Sequence, residues 1–333
     1  MLDVALVGLG DIGLSAHLPA LVRHPDVRIA ALVDPDPQRR DRVRDLVGDV
    51  VVAADLDDGL AAGVAAVVLA TPPWITPDLT LRAVRSGRFV LAEKPVATSV
   101  AAAAIYDQLT EAERARVQVG LTYRHDPAIT QLRDWVSSGR LGRPLLVRAH
   151  IYDEVLDAAD VEHAGRIRTT LAHGPPIVHE GAHLFDWLAV VLDATSSRVA
   201  DAWSMQTDRE SPAPNLIGAR LAYPDDTTAL VEFGWLTAAQ PATELSILGP
   251  LGYVVLDGDT FDLTLQTADG VETVEFPGER VPRCFDRQLD AFVDLVEGRR
   301  HTPEPGLAAG RAALAVAEDV VRCASLRKET SWT

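Results

Sequence analysis

The first 34 residues constrain the fold more than any other stretch of the chain. Residues 2–7, LDVALV, form an apolar, β-rich run that ends directly on Gly8-Leu9-Gly10-Asp11-Ile12-Gly13. A helical stretch, LSAHLPALVRH, follows, and then a second β-rich run, VRIAALV, closed by Asp34. Strand, glycine turn, helix and strand together are the context in which G-x-G-x-x-G binds a dinucleotide. Gly8 permits the tight turn, Gly10 lets the backbone approach a pyrophosphate, and Gly13 lets helix and strand pack closely. Asp11 and Ile12 lead into the helix, whose N-terminus turns unsatisfied N–H groups and a positive dipole end toward the phosphates. Asp34 stands about 20 residues beyond the glycines, where a carboxylate accepts hydrogen bonds from the adenosine ribose hydroxyls. A carboxylate there repels a 2′-phosphate and favours NAD. Arg39 and Arg40, just downstream, keep NADP possible.

The alternation continues through the first half. Strands are expected at 50–54, 64–70, 88–92 and 117–121, with helical stretches near 76–87 and 99–113. Near-continuous apolar strands separated by helices predict a doubly wound parallel sheet covered on both faces, the Rossmann arrangement. Ligands of such sheets sit beyond the carboxyl ends of the strands. Two segments lie there: Thr71-Pro72-Pro73 and Glu93-Lys94-Pro95.

From about residue 122 the pattern changes. A helix, AITQLRDWVSSG, leads into the strand LLVRAHIYD, and an irregular stretch rich in Asp, Arg and His is expected over 153–173. HEGAHLFDWLAVVL has helical spacing, and six β-rich runs follow between residues 197 and 267, joined by short turns. Two helical segments, 284–298 and 306–325, close the chain. The expected architecture is α/β. A Rossmann domain over 1–121 precedes an α+β domain over 122–333 with an open, mostly antiparallel sheet.

The formal net charge of −17 repels phosphate backbones and anionic lipid, so neither nucleic acid nor a membrane surface is expected as a partner. No apolar run reaches membrane-span length, and the first residues carry no basic region of the kind that opens a signal peptide. Cys284 and Cys323, far apart in sequence, suit a reducing compartment as small core thiols. The chain reads as cytoplasmic.

His179, Glu180 and His183 fit H-E-x-x-H, the helical zinc motif of metalloproteases. A third histidine of the longer motif would fall at residue 189, which is Ala. Asp186 stands where that motif wants glycine, and no glutamate occurs between Glu180 and Glu210. Zinc proteolysis would also leave the nucleotide-binding half without a purpose, and no metal ligand is assigned. A metal held by the two histidines in another role stays open.

Taken together, VALVGLGDIG, the ATPP turn, AEKPVATS, VGLTYRHDPAI, SGRLGRPLLVRA, the GAHLFD helix and SILGPLGYVVLDG resemble the glucose–fructose oxidoreductase / inositol dehydrogenase / MocA family of NAD(P)-dependent oxidoreductases. The likeness runs over nearly the whole chain, and E-K-P combined with G-x-H-x-x-D is its most specific part. It implies a six-stranded nucleotide-binding domain and a second domain whose sheet carries subunit contacts in a homodimer or homotetramer. It also implies hydride transfer between the nicotinamide and a secondary alcohol or ketone of a sugar, cyclitol or similar hydroxylated small molecule.

In that resemblance Lys94 matches the lysine that stabilises charge on the reacting oxygen, and His183 matches the acid/base. Two positions depart from the family pattern. His179 stands where an aspartate is usual, four residues before the base, and Thr76 replaces the usual histidine after the TPP turn. His179, on the face of His183, joins Lys94 and His183 as a candidate catalytic residue that would supply a hydrogen bond but no fixed negative charge. Altered substrate reading or pH dependence is expected to follow.

Thr71, Pro72, Glu93 and Lys94 join the glycine turn and Asp34 as candidate cofactor contacts. Arg124, Tyr152 and Arg168 are candidate substrate contacts; for Arg124 a structural salt bridge fits equally well. His17 is open between packing and a pocket contact. Two other functions stay in view: an NAD- and sugar-binding regulator without net turnover, and a redox-assisted sugar lyase or glycosidase that regenerates its NAD.

Overall fold

Apolar β-branched runs too short for helices pair as parallel strands when helices cover both faces. The first half of the chain does this. In the computed structural model, β1 (Leu2–Val7), β2 (Val27–Val33), β3 (Val51–Ala53), β4 (Ala66–Leu69), β5 (Phe89–Glu93) and β6 (Val117–Gly120) form one sheet in the order β3-β2-β1-β4-β5-β6. All its pairings are parallel. The structure describes residues 1–44, 50–157, 159–194 and 197–329, the last three without their side chains. The strand order reverses between β1 and β4, so the glycine turn lies at the switch point, where sheets of this kind bind ligands.

The chain folds as two units. The first comprises residues 1–125 and 281–311, and the second residues 126–280 and 312–333. The helix Arg280–Val296 belongs to the first core through Phe285, Leu289, Phe292 and Val293, whose spacing lines one helical face. They pack with Val4, Leu6, Leu21, Val68 and Leu91. Each fully buried side chain of this size contributes about 1.5–3 kcal/mol, so this late helix is a principal part of the first core. Among the described residues no helix is long and apolar enough to cross a membrane.

The second unit is built on an eight-stranded sheet. Its strands are β7 (Leu146–Tyr152), β8 (Arg198–Met205), β9 (Leu216–Ala222), β10 (Thr228–Gly234), β11 (Glu244–Leu248), β12 (Gly252–Asp257), β13 (Leu263–Thr267) and β14 (Gly270–Val274). Their order is β14-β13-β12-β11-β7-β10-β9-β8. Only β7 and β10 pair in parallel; every other pairing is antiparallel. Alternation decides the faces. Ala229, Val231 and Phe233 of β10 are buried, whereas Leu230 between them is 40% exposed. The helix Gly181–Leu192 covers the buried face, with Phe185 edge-on to Phe233. Trp203, Met205, Leu230 and Leu248 leave apolar surface on the other face.

Three local expectations change. The 153–173 stretch, expected to be irregular, contains the helix Val161–Leu171, capped by the Asp160 carboxylate accepting from the His163 N–H at 2.9 Å. Its Ala164, Ile167 and Leu171 pack on Trp235 and Leu236, and the charged residues that resemble a loop form its outer face. The single helix expected over 99–113 is Val100–Ala103, a 3-10 turn and then Glu111–Arg114. Thr110 and Glu113 form a capping box that starts the last piece afresh. The helix through HEGAH is also interrupted: Pro176–His179 ends before Gly181–Leu192 begins, with Glu180 between them.

Candidate active site

At the glycine turn, the chain itself dictates two of the three glycines. Gly8 has φ +94°, and a Cβ there would lie 2.2 Å from the Ala70 carbonyl oxygen. A Cβ on Gly13 would lie 2.2 Å from the Gly8 carbonyl oxygen. Gly10 differs, because the nearest atom to its virtual Cβ is Arg39 Nη1 at 3.7 Å, an ordinary contact. Nothing in the protein requires a bare backbone at Gly10, but a pyrophosphate drawn close to that backbone does. Gly8, Gly10, Asp11, Ile12 and Gly13 therefore fit a dinucleotide phosphate cradle, with Ile12 41% exposed at its rim.

Asp34 is buried at the end of β2. Its Oδ2 accepts from the Leu9 N–H at 2.8 Å and its Oδ1 from the Asp36 N–H at 2.9 Å. The carboxylate thereby ties β2 to the glycine turn. Arg39 Nη1 lies 3.5 Å from Oδ2, whereas Arg40 Nη1 donates to the Asp34 and Pro35 carbonyls at 2.7 and 2.8 Å. After β4, Thr76 Oγ1 lies 2.8 Å from Thr71 Oγ1 and donates to the Thr71 and Pro72 carbonyls at 2.9 and 3.0 Å. Thr76 thus closes this turn from inside, fully buried.

Glu93 ends β5 and is buried. Its Oε2 accepts from the Lys94 backbone N–H at 3.0 Å, and its Oε1 lies 2.7 Å from His17 Nε2. His17 is buried edge-on against Phe285, ring centroids 4.9 Å apart. Between the two readings the sequence left open, His17 packs, and it does so on the E-K-P turn. The sequence offered no sign of this pairing, since the partners are 76 residues apart. The Lys94–Pro95 peptide bond is cis, and Lys94 itself is partly exposed.

Arg124 follows β6, its guanidinium 4.0 Å from Glu304. Beside it His125 is pushed down to about 4 by burial and by the nearby guanidinium groups of Arg124, Arg300 and Arg287. This turn therefore carries its positive charge on arginine alone near neutral pH. Asp126, next along, caps the helix Pro127–Ser137 by accepting from the Ala128 N–H at 2.8 Å.

In the second unit His183 is buried in the first turn of Gly181–Leu192. His179 is also buried. Its Nε2 lies 3.2 Å from the Gly174 carbonyl, and its ring stacks on Trp235 with centroids 5.4 Å apart. A carbonyl only accepts, so that nitrogen carries the hydrogen in this bond. The stack and the bond both fix the ring. Trp235, which no sequence motif singled out, is its packing partner.

Tyr152 lies on the open face of the sheet. Its ring covers Gly234, where a Cβ would fall 2.2 Å from it, and its hydroxyl donates to the Glu232 carboxylate. Burial and that carboxylate push the phenol's pKa up. The same face holds a cavity of about 570 Å³ lined by Arg148, His150, Asp201, Trp203, Arg220 and Glu232. His179 and His183 belong to the covered side, so the structure does not bring Tyr152 to them.

Arg168 is held in a fork. Its Nε and Nη2 donate to the two oxygens of Asp208 at 2.8 and 3.1 Å, and Nη1 lies 2.7 Å from Glu210. The guanidinium beside Asp208 holds that carboxyl below the ordinary carboxylate range. A depressed carboxyl contributes stability that is complete above its unfolded pKa and lost as pH falls through the folded value. Arg168→Gln is expected to cost about 1–2 kcal/mol at pH 7 and nothing at a pH where Asp208 is protonated in both proteins. Urea titrations of both proteins in steps downward from pH 7 check this; a loss that does not shrink as pH falls would refute the assignment.

Comparison with known proteins gives the family and the fold. Residues 2–121 match an oxidoreductase family described by its NAD-binding Rossmann fold, and residues 129–255 match the GFO/IDH/MocA C-terminal domain. The chain is 35% identical to an inositol 2-dehydrogenase of Rubrobacter xylanophilus over 147 residues, 44% of this chain and 42% of that protein. That match thus spans less than half of the relative's length. It is 29% identical to inositol 2-dehydrogenase 1 of Saccharopolyspora erythraea over 96% of this chain and 93% of that one. Among solved structures, myo-inositol 2-dehydrogenase from Lactobacillus plantarum superposes with a TM-score of 0.80 at 21% identity, covering 98% of this chain and 97% of that one. At that identity the likeness speaks to the fold alone.

Proposed function

The chain belongs to the glucose–fructose oxidoreductase / inositol dehydrogenase / MocA family, and on that premise we propose that it is an NAD-dependent oxidoreductase acting on a secondary alcohol or ketone of a sugar or cyclitol. Cofactor binding is assigned to residues 1–121, through Gly8, Gly10, Asp11, Ile12, Gly13, Asp34, Thr71, Pro72, Glu93 and Lys94. Substrate and subunit contacts are assigned to the sheet-bearing part of 122–333. The Asp34 carboxylate favours NAD over NADP because a 2′-phosphate would meet its negative charge. NAD, when bound, supplies the hydride acceptor. Lys94 places positive charge at the reacting oxygen, and His183 takes the hydroxyl proton in oxidation and returns it in reduction. His179, its ring fixed by Gly174 and Trp235, stands beside His183 in this reading and is assigned no proton transfer.

One observation carries this reading. Only two of the chain's 31 basic side chains are lysines, Lys94 and Lys328. A chain that otherwise uses arginine keeps an amine at the ligand edge of β5. A compact ammonium binds as a point charge, and its pKa shifts readily where a guanidinium's does not. The test is NADH formation from NAD over a panel of inositols, sugars and polyols. Turnover with at least one of them is expected. Binding without turnover would favour a regulator, and product formed without net NADH would favour a redox-assisted lyase or glycosidase.

The apolar residues on the open face of the second sheet support a homodimer or homotetramer joined through that face. Sedimentation of the purified protein as a monomer at micromolar concentration would rule this out.

A further inference from the structure

The short helix after the glycine turn opens with an α turn, the Leu14 N–H bonding the Gly10 carbonyl at 2.9 Å, and is then interrupted. Residues Gly13–His17 form a π turn, with the Leu18 N–H bonded to the Gly13 carbonyl. Such turns are rare and lie frequently at functional sites. This one carries His17 to a buried position against Phe285, from which its Nε2 meets Glu93 Oε1 at 2.7 Å. A carboxylate only accepts, so the imidazole donates. The other oxygen of Glu93 accepts from the backbone N–H of Lys94 at 3.0 Å. The carboxylate is seated tightly as well: a Cβ on Gly120 of β6 would come within 3.0 Å of Oε1 and 3.2 Å of Glu93 Cα.

We propose that His17 is a positioning residue for Lys94, fixing through Glu93 the turn that presents the lysine amine. A buried polar pair is a poor choice for stability alone, because well-packed apolar side chains of similar size serve as well or better. It does what apolar packing cannot, which is to fix the direction of one backbone N–H. The same helix follows the phosphate cradle directly, so one element sets both the dinucleotide and the lysine. The proposal rests on the reading of Lys94 given above, and its test keeps the two apart.

With only two lysines in the chain, reductive ¹³C-methylation of the full protein gives amine resonances for Lys94, Lys328 and the N-terminus. The Lys94 signal is assigned by its loss in K94A. In H17L the Lys94 resonance is expected to move while that of Lys328 stays. H17Q, whose amide nitrogen can take the place of Nε2, is expected to restore it. In steady state H17L should lower kcat roughly 10–100-fold, the range for small misplacements near the chemistry, with KM for NAD nearly unchanged and H17Q close to wild type. Should H17L fail to fold, H17L/E93Q leaves no unpaired charge and is compared with E93Q alone. An unmoved Lys94 resonance in H17L, or the same resonance in E93Q and H17L/E93Q, overturns the proposal. K94A retaining turnover would instead end the catalytic reading and leave the resonance test standing.

Discussion

Lys94→Ala is expected to lower kcat for NADH formation roughly 10²–10³-fold, the usual effect of deleting one group that stabilises a developing oxyanion. KM for NAD should change little, since the phosphates and ribose are assigned to the glycine turn and Asp34, and Lys94 to the reacting oxygen. Lys94 follows β5, the strand beside β4 in the sheet, and its backbone N–H is fixed by a buried carboxylate. Lys94→Arg is expected to recover little of the loss. A planar guanidinium is longer, spreads its charge over three nitrogens and presents donors in a fixed fork. Steady-state kinetics on the best substrate of the panel checks both variants. An arginine variant within tenfold of wild type would mean that charge alone suffices, and an unimpaired Lys94→Ala would remove the lysine from the reaction.

Gly13→Ala and Gly10→Ala are expected to fail in opposite ways. At Gly13 the added methyl would sit 2.2 Å from a backbone oxygen of Gly8, which cannot yield without opening the turn. The cost should exceed 4 kcal/mol, the exceptional end of single-substitution effects. The variant is expected to be insoluble or to melt far below wild type. At Gly10 the same methyl meets nothing closer than the tip of Arg39 at 3.7 Å. Gly10→Ala should therefore fold and melt within a few degrees of wild type, yet bind NADH at least about tenfold more weakly, a loss of some 1.4 kcal/mol. Differential scanning calorimetry and NADH fluorescence titration separate the two. Wild-type NADH affinity in Gly10→Ala would show that the cradle lies elsewhere.

The fold was legible wherever its signals are local. A strand buried on both faces declares itself by composition, and the glycine turn by its flanks, so the strands of the first sheet and their parallel arrangement followed from the first half of the sequence. β14 was missed because four of its five residues are exposed and it carries no apolar alternation. The helix Val161–Leu171 was missed because its charged outer face dominates the composition and its inner face rests on Trp235, far along the chain. In the site, positions fixed by a turn were readable, but partnerships across the fold were not. The pairing of His17 with Glu93 and the stacking of His179 on Trp235 exist only after folding. Tyr152 is a different case. Offered as a substrate contact, in LVRAHIY it alternates in step with Arg148 and His150 and opposite to Val147 and Ala149, a strand periodicity that could have placed it on the open face of the sheet.

The helix Arg280–Val296, described as part of the first core, has a consequence for how the chain is made. A ribosome releases residues 1–125 long before Phe285, Leu289 and Phe292 exist. Until those residues emerge, Leu6, Leu21 and Leu91 lack the surface that covers them. The nucleotide-binding half therefore cannot finish folding in the order in which it is synthesised. A fragment cut at the apparent boundary near residue 125 would expose that apolar face. For anyone wishing to borrow this domain, the transferable piece is two segments of chain, with everything between them an insertion to be replaced by a short bridge.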